Sequence, residues 1–285
     1  MIILIDCNNL GHRAWHTTGG LSYGGDPTGV AYGVIQQLFT VFRHCGPGEP
    51  VFCWDSPQNY RKEEYPEYKQ RRKPATAKEV DTRAALFGQF ESLKNEILPA
   101  LGWGKRVYIR PGFEADDLIA WGAQTANECC TIVSGDEDLY QLLSSRVKIF
   151  KPGKNRFYNA GDFIADYGIP PSKWAEVKAI AGCSTDNVKG AVGVGEKTAI
   201  KYLLGKVRPG TRAWLSIEDA KKKGIIERNT RLVKLPYGRK CWEDMAIKLK
   251  PAPLKKQRFV EVFESYGMHS LTKRLGELSA ILPME

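Results

Sequence analysis

The chain has 285 residues, 42% hydrophobic and 26% charged, which suits a globular protein with a sizeable core and excludes wholesale disorder. No apolar run approaches the roughly 20 residues of a membrane span. The start, MIILIDCNN, lacks the basic region of a signal peptide and reads as a strand. Seven Cys, with no C-x-x-C pair, argue against a zinc ribbon or disulfide scaffold and for a reducing cytoplasm. Lys+Arg 42 against Asp+Glu 32 gives a net charge of +10. The excess is localised: residues 187–258 hold 19 Lys/Arg against 6 Asp/Glu, a net +13. Such a segment suits a polyanionic partner, although a solvated Lys-rich surface has the same composition.

In chain order, short apolar runs alternate with helical stretches. IILID (2–6) reads as a buried strand, AYGVIQQLFTVF (31–42) as a helix and VFCWD (51–55) as a second strand. Apolar spacing from Leu86 to Leu101 is helical. RVYI (106–109) is a third strand, DDLIAWGAQTANE (116–128) a helix, CTIVS (130–134) a fourth strand and LYQLL (139–143) a short helix. Residues 147–158 form a hairpin around PGKN, and after about Gly168 only helical stretches are expected. This order predicts an α/β fold: a mostly parallel sheet flanked by helices over residues 1–160, then a helical, basic region over 161–285.

The acids fall at strand ends. Asp6 ends the first strand and Asp55 the second; Glu114, Asp116 and Asp117 follow the third; Asp136 and Asp138 follow the fourth. In parallel α/β sheets ligands bind outside the carboxyl ends of the strands. Any one of these acids fits a helix cap. Together they would repel and raise one another's pKa values unless cations neutralise them, and hard divalent ions such as Mg²⁺ or Mn²⁺ suit oxygen ligands. Two such ions clamp the attacking and leaving oxygens of an in-line displacement at phosphorus, so acids beside a basic surface suggest phosphodiester hydrolysis.

Two further segments suit nucleic acid. RKEEYPEYKQRRK (61–73) interleaves cations with Tyr65 and Tyr68, the composition of a single-strand-binding element, or of an exposed charged connector. VKGAVGVGEKTAIKYL (188–203) sets Gly193 and Gly195 before a helix, where backbone N–H groups can approach phosphate. A P-loop needs Gly-Lys-Ser/Thr in succession, and Glu196 separates Gly195 from Lys197. A helix–hairpin–helix gripping a duplex backbone fits better, with Lys189, Gly193, Gly195, Lys197, Thr198 and Lys201 as its DNA-binding candidates.

With IDCNNLGHRAWH (5–16), WDS (54–56), YRKEEYPEYKQRRK (60–73), FEADDLIA (113–120), SGDEDLYQLL (134–143) and STDNVKGAVGVGEKTAIKYL (184–203), the chain resembles the 5′-nucleases of the flap endonuclease family. FVEVFESYGMHSLTKRL (259–275) is similar to that family's carboxy-terminal helices, and 207–258 matches weakly. The resemblance implies metal ligation by Asp6, Asp55, Glu114, Asp116, Asp117, Asp136, Asp138 and Asp186, and catalytic cations at Arg61, Lys69 and Arg72. It also implies base stacking by Tyr68, a helical arch over 65–98, and a monovalent ion such as K⁺ on hairpin carbonyls. The implied partners are flap, 5′-overhang or nicked DNA, RNA–DNA hybrids, and a replicative or repair polymerase, with the chain acting as a monomer. Gly182-Cys183-Ser184-Thr185-Asp186-Asn187 departs from the family's Gly-Asp-x-x-Asp-Asn: Cys183 stands where a carboxylate of the second metal cluster is expected. Two other classes share parts of the pattern. A PIN-like ribonuclease has the sheet and acids without the hairpin, and a DNA-binding module with degraded metal sites has only Cys183 in its favour.

Overall fold

The computed structural model describes residues 1–70, 76–238 and 254–285. β1 (Ile2–Asp6) runs straight into α1 (Cys7–Thr18), and Asp6 is itself the N-cap, accepting the Asn9 backbone N–H at 2.9 Å. A small ladder of β2 (Ser22–Tyr23) with β3 (Asp26–Pro27) leads to α2 (Gly29–Cys45), then β4 (Glu49–Trp54) and α3 (Tyr60–Glu64). α4 (Ala77–Ser92) opens on a capping box: Thr76 accepts the Glu79 N–H, and the Glu79 carboxylate accepts the Thr76 N–H. Wider π-helical turns carry it on through Leu93–Ile97. β5 (Val107–Ile109), α5 (Ala115–Thr125) and β6 (Cys130–Val133) follow, then the hairpin of β7 (Val147–Lys151) and β8 (Arg156–Tyr158).

The sheet order is β5-β4-β1-β6-β7-β8, parallel except for the β7–β8 hairpin. Parallel strands covered on both faces need apolar residues at every position, and all five residues of β1 are buried. The expected mostly parallel α/β core is therefore present.

Beyond the sheet lie α6 (Ala160–Tyr167), α7 (Trp174–Ala181), β9 (Gly182–Cys183), β10 (Val188–Lys189), α8 (Glu196–Leu203), α9 (Arg212–Lys222) and α10 (Ile225–Val233). α11 (Lys256–Ser265), α12 (His269–Lys273) and α13 (Leu275–Ser279) end the chain. The antiparallel β9–β10 pair corrects the expectation of helices alone after Gly168. Its hairpin depends on two glycines: a Cβ on Gly182 would lie 2.4 Å from the Gly190 nitrogen, and one on Gly190 would lie 2.3 Å from the Ala181 carbonyl carbon. Only glycine permits that backbone approach.

The pleat divides the core in two. Ile3 and Ile5 face α1, α2 and α4, together with Phe259, Phe263, Leu271 and Leu275 from the last three helices. Ile2 and Leu4 face Leu118 and Ile119 of α5, Trp174 and Val177 of α7, Ala199 of α8 and Ile217 of α9. Each cluster draws on residues from both sides of position 160. Among the described residues no helix is long and apolar enough to cross a membrane.

Candidate metal centre

The carboxyl edge of the sheet gathers the acids. Asp6 leaves β1 and accepts the Ser134 hydroxyl on Oδ2 at 2.7 Å, which ties β1 to the end of β6. Asp55, just past β4, accepts the Ala115 N–H at 2.8 Å, which ties β4 to the start of α5. Glu114 is the N-cap of α5, with Asp116 in its first turn. Asp136 caps the 3₁₀ stretch Glu137–Leu142 by accepting the Asp138 N–H at 2.9 Å. Three side chains that the sequence reading passed over hold this edge together. Asn8 accepts the Asp55 N–H at 2.9 Å, Asn9 accepts the Gly135 N–H at 3.0 Å, and Ser134 accepts the Asp136 N–H at 3.0 Å. Their signal was position alone, each adjoining a strand-end acid.

Burial and mutual repulsion leave this edge short of positive charge. Burial is the main force pushing Asp6 from 3.8 to about 7, with the Asp55 and Asp136 charges adding to it against the Asn9 and Ser134 hydrogen bonds. Burial, then Asp136 and Asp6, hold Asp116 well above the carboxylate range. Asp55 is raised by burial and then by Glu114. Burial would raise Glu114 too, but Lys69 and Arg61 beside it hold it down at about 2. Oxygen donors this crowded fit hard divalent cations.

A pH dependence follows. Asp6 at about 7 and Asp138 at about 6 lie above their unfolded value of 3.8, so their contribution to stability is complete below that value. It is lost as pH rises through 6 and 7. The metal-free protein should therefore lose thermal stability from pH 5 to pH 8. Added Mn²⁺ should raise Tm more at pH 8 than at pH 5, because it binds the ionised acids. A metal-induced Tm shift of equal size at both values, measured by scanning calorimetry, would remove the acids from ion binding.

A second group lies beside the first. Asp138, Cys183 of β9 and Asp186 each present a ligand atom, all within 4.8 Å of one another. Burial, Asp136 and Asp186 push Asp138 up to about 6 against the opposing Lys178. Lys178 reaches Asp138 at 3.2 Å and Glu196, the first residue of α8, at 2.9 Å. This buried lysine has no local signal, because α7 reads only as one of the helical stretches after Gly168.

Three expected roles need correction. Arg61 is 2% exposed: it forms a two-pronged pair with Asp117 at 2.6 and 2.7 Å and donates through Nε to the Leu232 carbonyl at 2.8 Å. It braces the interior and cannot meet a phosphate. Asp117 also accepts the Tyr237 N–H at 2.8 Å and the Glu114 N–H at 3.1 Å, so both its oxygens are committed and it is no metal ligand. Tyr68 is 4% exposed, packs with Cys183, Val188 and Leu232, and donates to Glu114 at 2.9 Å, leaving no ring face for a base. Lys69 does stand at the acids. Its backbone adopts φ 52°, its N–H donates to the Asp186 carbonyl at 2.8 Å, and its ammonium pairs with Glu114. Arg72 lies outside the described residues. After β10, which ends on the exposed Lys189, Gly193 has φ 72° in the turn before α8, and on α8 Lys197 and Lys201 are exposed and Thr198 is half-buried.

Strand-end acids at the carboxyl edge of a mostly parallel sheet, with exposed lysines on β10 and α8, fit the class of metal-dependent nuclease cores. Residues 1–168 match the family described as 5′-3′ exonuclease, N-terminal resolvase-like domain, and the chain belongs to that 5′-3′ exonuclease family. It is 35% identical over 213 residues to DNA polymerase I of Mycobacterium tuberculosis, covering 71% of this chain and 22% of that one. It is 32% identical over 206 residues to the thermostable DNA polymerase I of Thermus aquaticus, covering 71% and 23%. The chain thus spans under a quarter of the length of these relatives. Its fold is similar to a bacteriophage T5 flap endonuclease solved as a pseudo-enzyme-product complex with DNA and metal ions. That match has a TM-score of 0.68 at 19% identity and covers 98% of this chain and 99% of that one.

Proposed function

We propose that the chain hydrolyses phosphodiesters near 5′ ends and at single-strand/duplex junctions of DNA, with Mg²⁺ or Mn²⁺ held by Asp6, Asp55, Glu114, Asp116, Asp136, Asp138 and Asp186. The observation that carries this reading is the placing of carboxylates at four strand ends, with the Asp138 group after the last of them tied by Lys178 to Glu196 of α8. Bound divalent ions supply Lewis acidity and a lowered water pKa there. The chain's own residues do the rest. Lys69 offers a cation to the scissile phosphate from within the acid row. Residues from about 170 to 205 act as a helix–hairpin–helix that holds the duplex. There Gly193, Gly195 and Thr198 present backbone and hydroxyl groups, Lys189, Lys197 and Lys201 present cations, and backbone carbonyls of the segment would hold K⁺. In this division 1–160 carries all the proposed metal-holding acids except Asp186, and 161–285 grips the duplex; the arch proposed for 65–98 includes residues 71–75, which lie outside the described residues.

The T5 protein's description as a flap endonuclease bound to DNA and metal ions supports the substrate class. The DNA polymerases among the relatives support a replicative or repair polymerase as partner. Work on RNA-primed duplexes, a monomeric state and a cytoplasmic setting complete the proposal.

The test is single-turnover cleavage of 5′-flap, nicked, blunt and RNA-primed duplexes. Flap and junction substrates should be cut fastest, and excess chelator should stop all cutting. On the same substrates, Lys189→Ala/Lys197→Ala/Lys201→Ala should flatten the slope of log affinity against log salt by about 0.9 for each phosphate no longer neutralised. Cutting that persists in chelator would overturn the reading, and an unchanged slope would move the duplex grip elsewhere.

A further inference from the structure

One donor at this edge is not an oxygen. Cys183 Sγ converges with carboxylate oxygens of Asp138 and Asp186 from two stretches of chain: the 3₁₀ stretch after β6, and the β9–β10 hairpin, whose first strand holds Cys183 and whose turn holds Asp186. The thiol is buried, at 6% exposure, and its near neighbour is the Thr185 hydroxyl at 3.0 Å. It is held in place by the β9–β10 pairing, which sets Cys183 opposite Val188. Lys178 meets Asp138 on Oδ1, so the ammonium lies against one oxygen of that carboxylate.

The donor set decides which ion is preferred. Mg²⁺ demands near-octahedral oxygen coordination and dehydrates reluctantly, so a sulfur in the set counts against it. Thiolate favours zinc-class ions, and three protein ligands with one position left open is the pattern of catalytic zinc. We infer that Asp138, Cys183 and Asp186 form a mixed thiolate–carboxylate centre that selects a zinc-class ion over Mg²⁺, which makes the two metal positions of this chain chemically unlike. The inference rests on the metal-dependent reading above and sharpens it. On binding, the sulfur–metal bond forms as the S–H bond breaks, and one proton leaves to solvent.

The readout is spectroscopic. Co²⁺ added to the full chain in excess Mg²⁺ should give a thiolate-to-cobalt charge-transfer band that saturates at one equivalent and bleaches on addition of one equivalent of Zn²⁺. Cys183→Ser, close to isosteric, should lack the band while keeping the wild-type circular dichroism. Cys183→Asp should also lack it, and calorimetry should show its Mg²⁺ affinity raised by at least the roughly 10-fold that single partners of a metal site control. Calorimetric Co²⁺ binding without the band, or a band that survives in either variant, overturns the inference, as does bleaching by Mg²⁺ alone. These failures leave the nuclease reading intact, because that reading is tested separately, by whether cutting persists in chelator.

Discussion

Asp136→Ala is expected to abolish cleavage while duplex binding persists. Asp136 is the acid whose charge reaches both groups: it raises Asp6 and Asp116 on one side and Asp138 on the other. A single preorganised group that stabilises transition-state charge contributes roughly 10²–10³-fold, and loss of an acid shared by both metal groups should cost at least that. The hairpin cations are untouched, and one negative charge near the phosphates disappears, so affinity should hold or rise slightly. The carboxylate also caps the 3₁₀ stretch through the Asp138 N–H. Asp136→Asn preserves that cap and the side-chain volume, and should be as inactive as Asp136→Ala. Single-turnover cleavage and binding, measured at one salt concentration, check both variants. Cleavage by Asp136→Asn within tenfold of wild type would reduce Asp136 to a capping residue.

The strand-end acids were legible because a parallel sheet covered on both faces writes its strands as unbroken apolar runs, so the first acid after each run marks the carboxyl edge. Asp6, Asp55, Glu114 and Asp136 are all where that rule puts them. The rule cannot say which acid keeps a free oxygen. Asp117 follows the same strand as Asp116 and has the same composition, yet its oxygens are taken by Arg61, Tyr237 and Glu114. Those partners come from positions 56 and 120 residues away as well as from the same turn. Arg61 and Tyr68 misled for a related reason. Both lie in a stretch whose charges read as surface, but Arg61 donates to the Leu232 carbonyl and Tyr68 packs with Cys183, Val188 and Leu232, and no local pattern announces partners supplied from far along the chain. The hairpin glycines show a third limit. Gly193 and Gly195 drew notice as a G-x-G pair, whereas the tight backbone approach falls at Gly182 and Gly190, flanking the two short strands. α1 was not anticipated because Asn8, Asn9 and Gly11 are poor helix formers, and the Asp6 cap and packing on α2 override them.

Arg61→Met should lower stability far more than a surface substitution would. The guanidinium and Asp117 are 2% and 0% exposed, the pair is two-pronged, and the cation lies 4.8 Å from the centre of the Tyr237 ring. Removing one partner of a buried pair leaves the other charge uncompensated, at a cost of about 3–5 kcal/mol. At roughly 2–4 °C per kcal/mol for a chain of this size, a fall in Tm on the order of 10 °C should follow. Arg61→Met/Asp117→Leu should recover much of that loss, because an apolar replacement of both partners strands no charge. Arg61 also helps Lys69 hold Glu114 down at about 2. Without it the Glu114 pKa should climb, and the acid limb of the cleavage profile should shift to higher pH in assays run below the variant's Tm. A side chain that merely filled space would leave that limb in place. An Arg61→Met variant with wild-type Tm but no cleavage at any pH would instead return Arg61 to the phosphate-binding role from which its burial removes it.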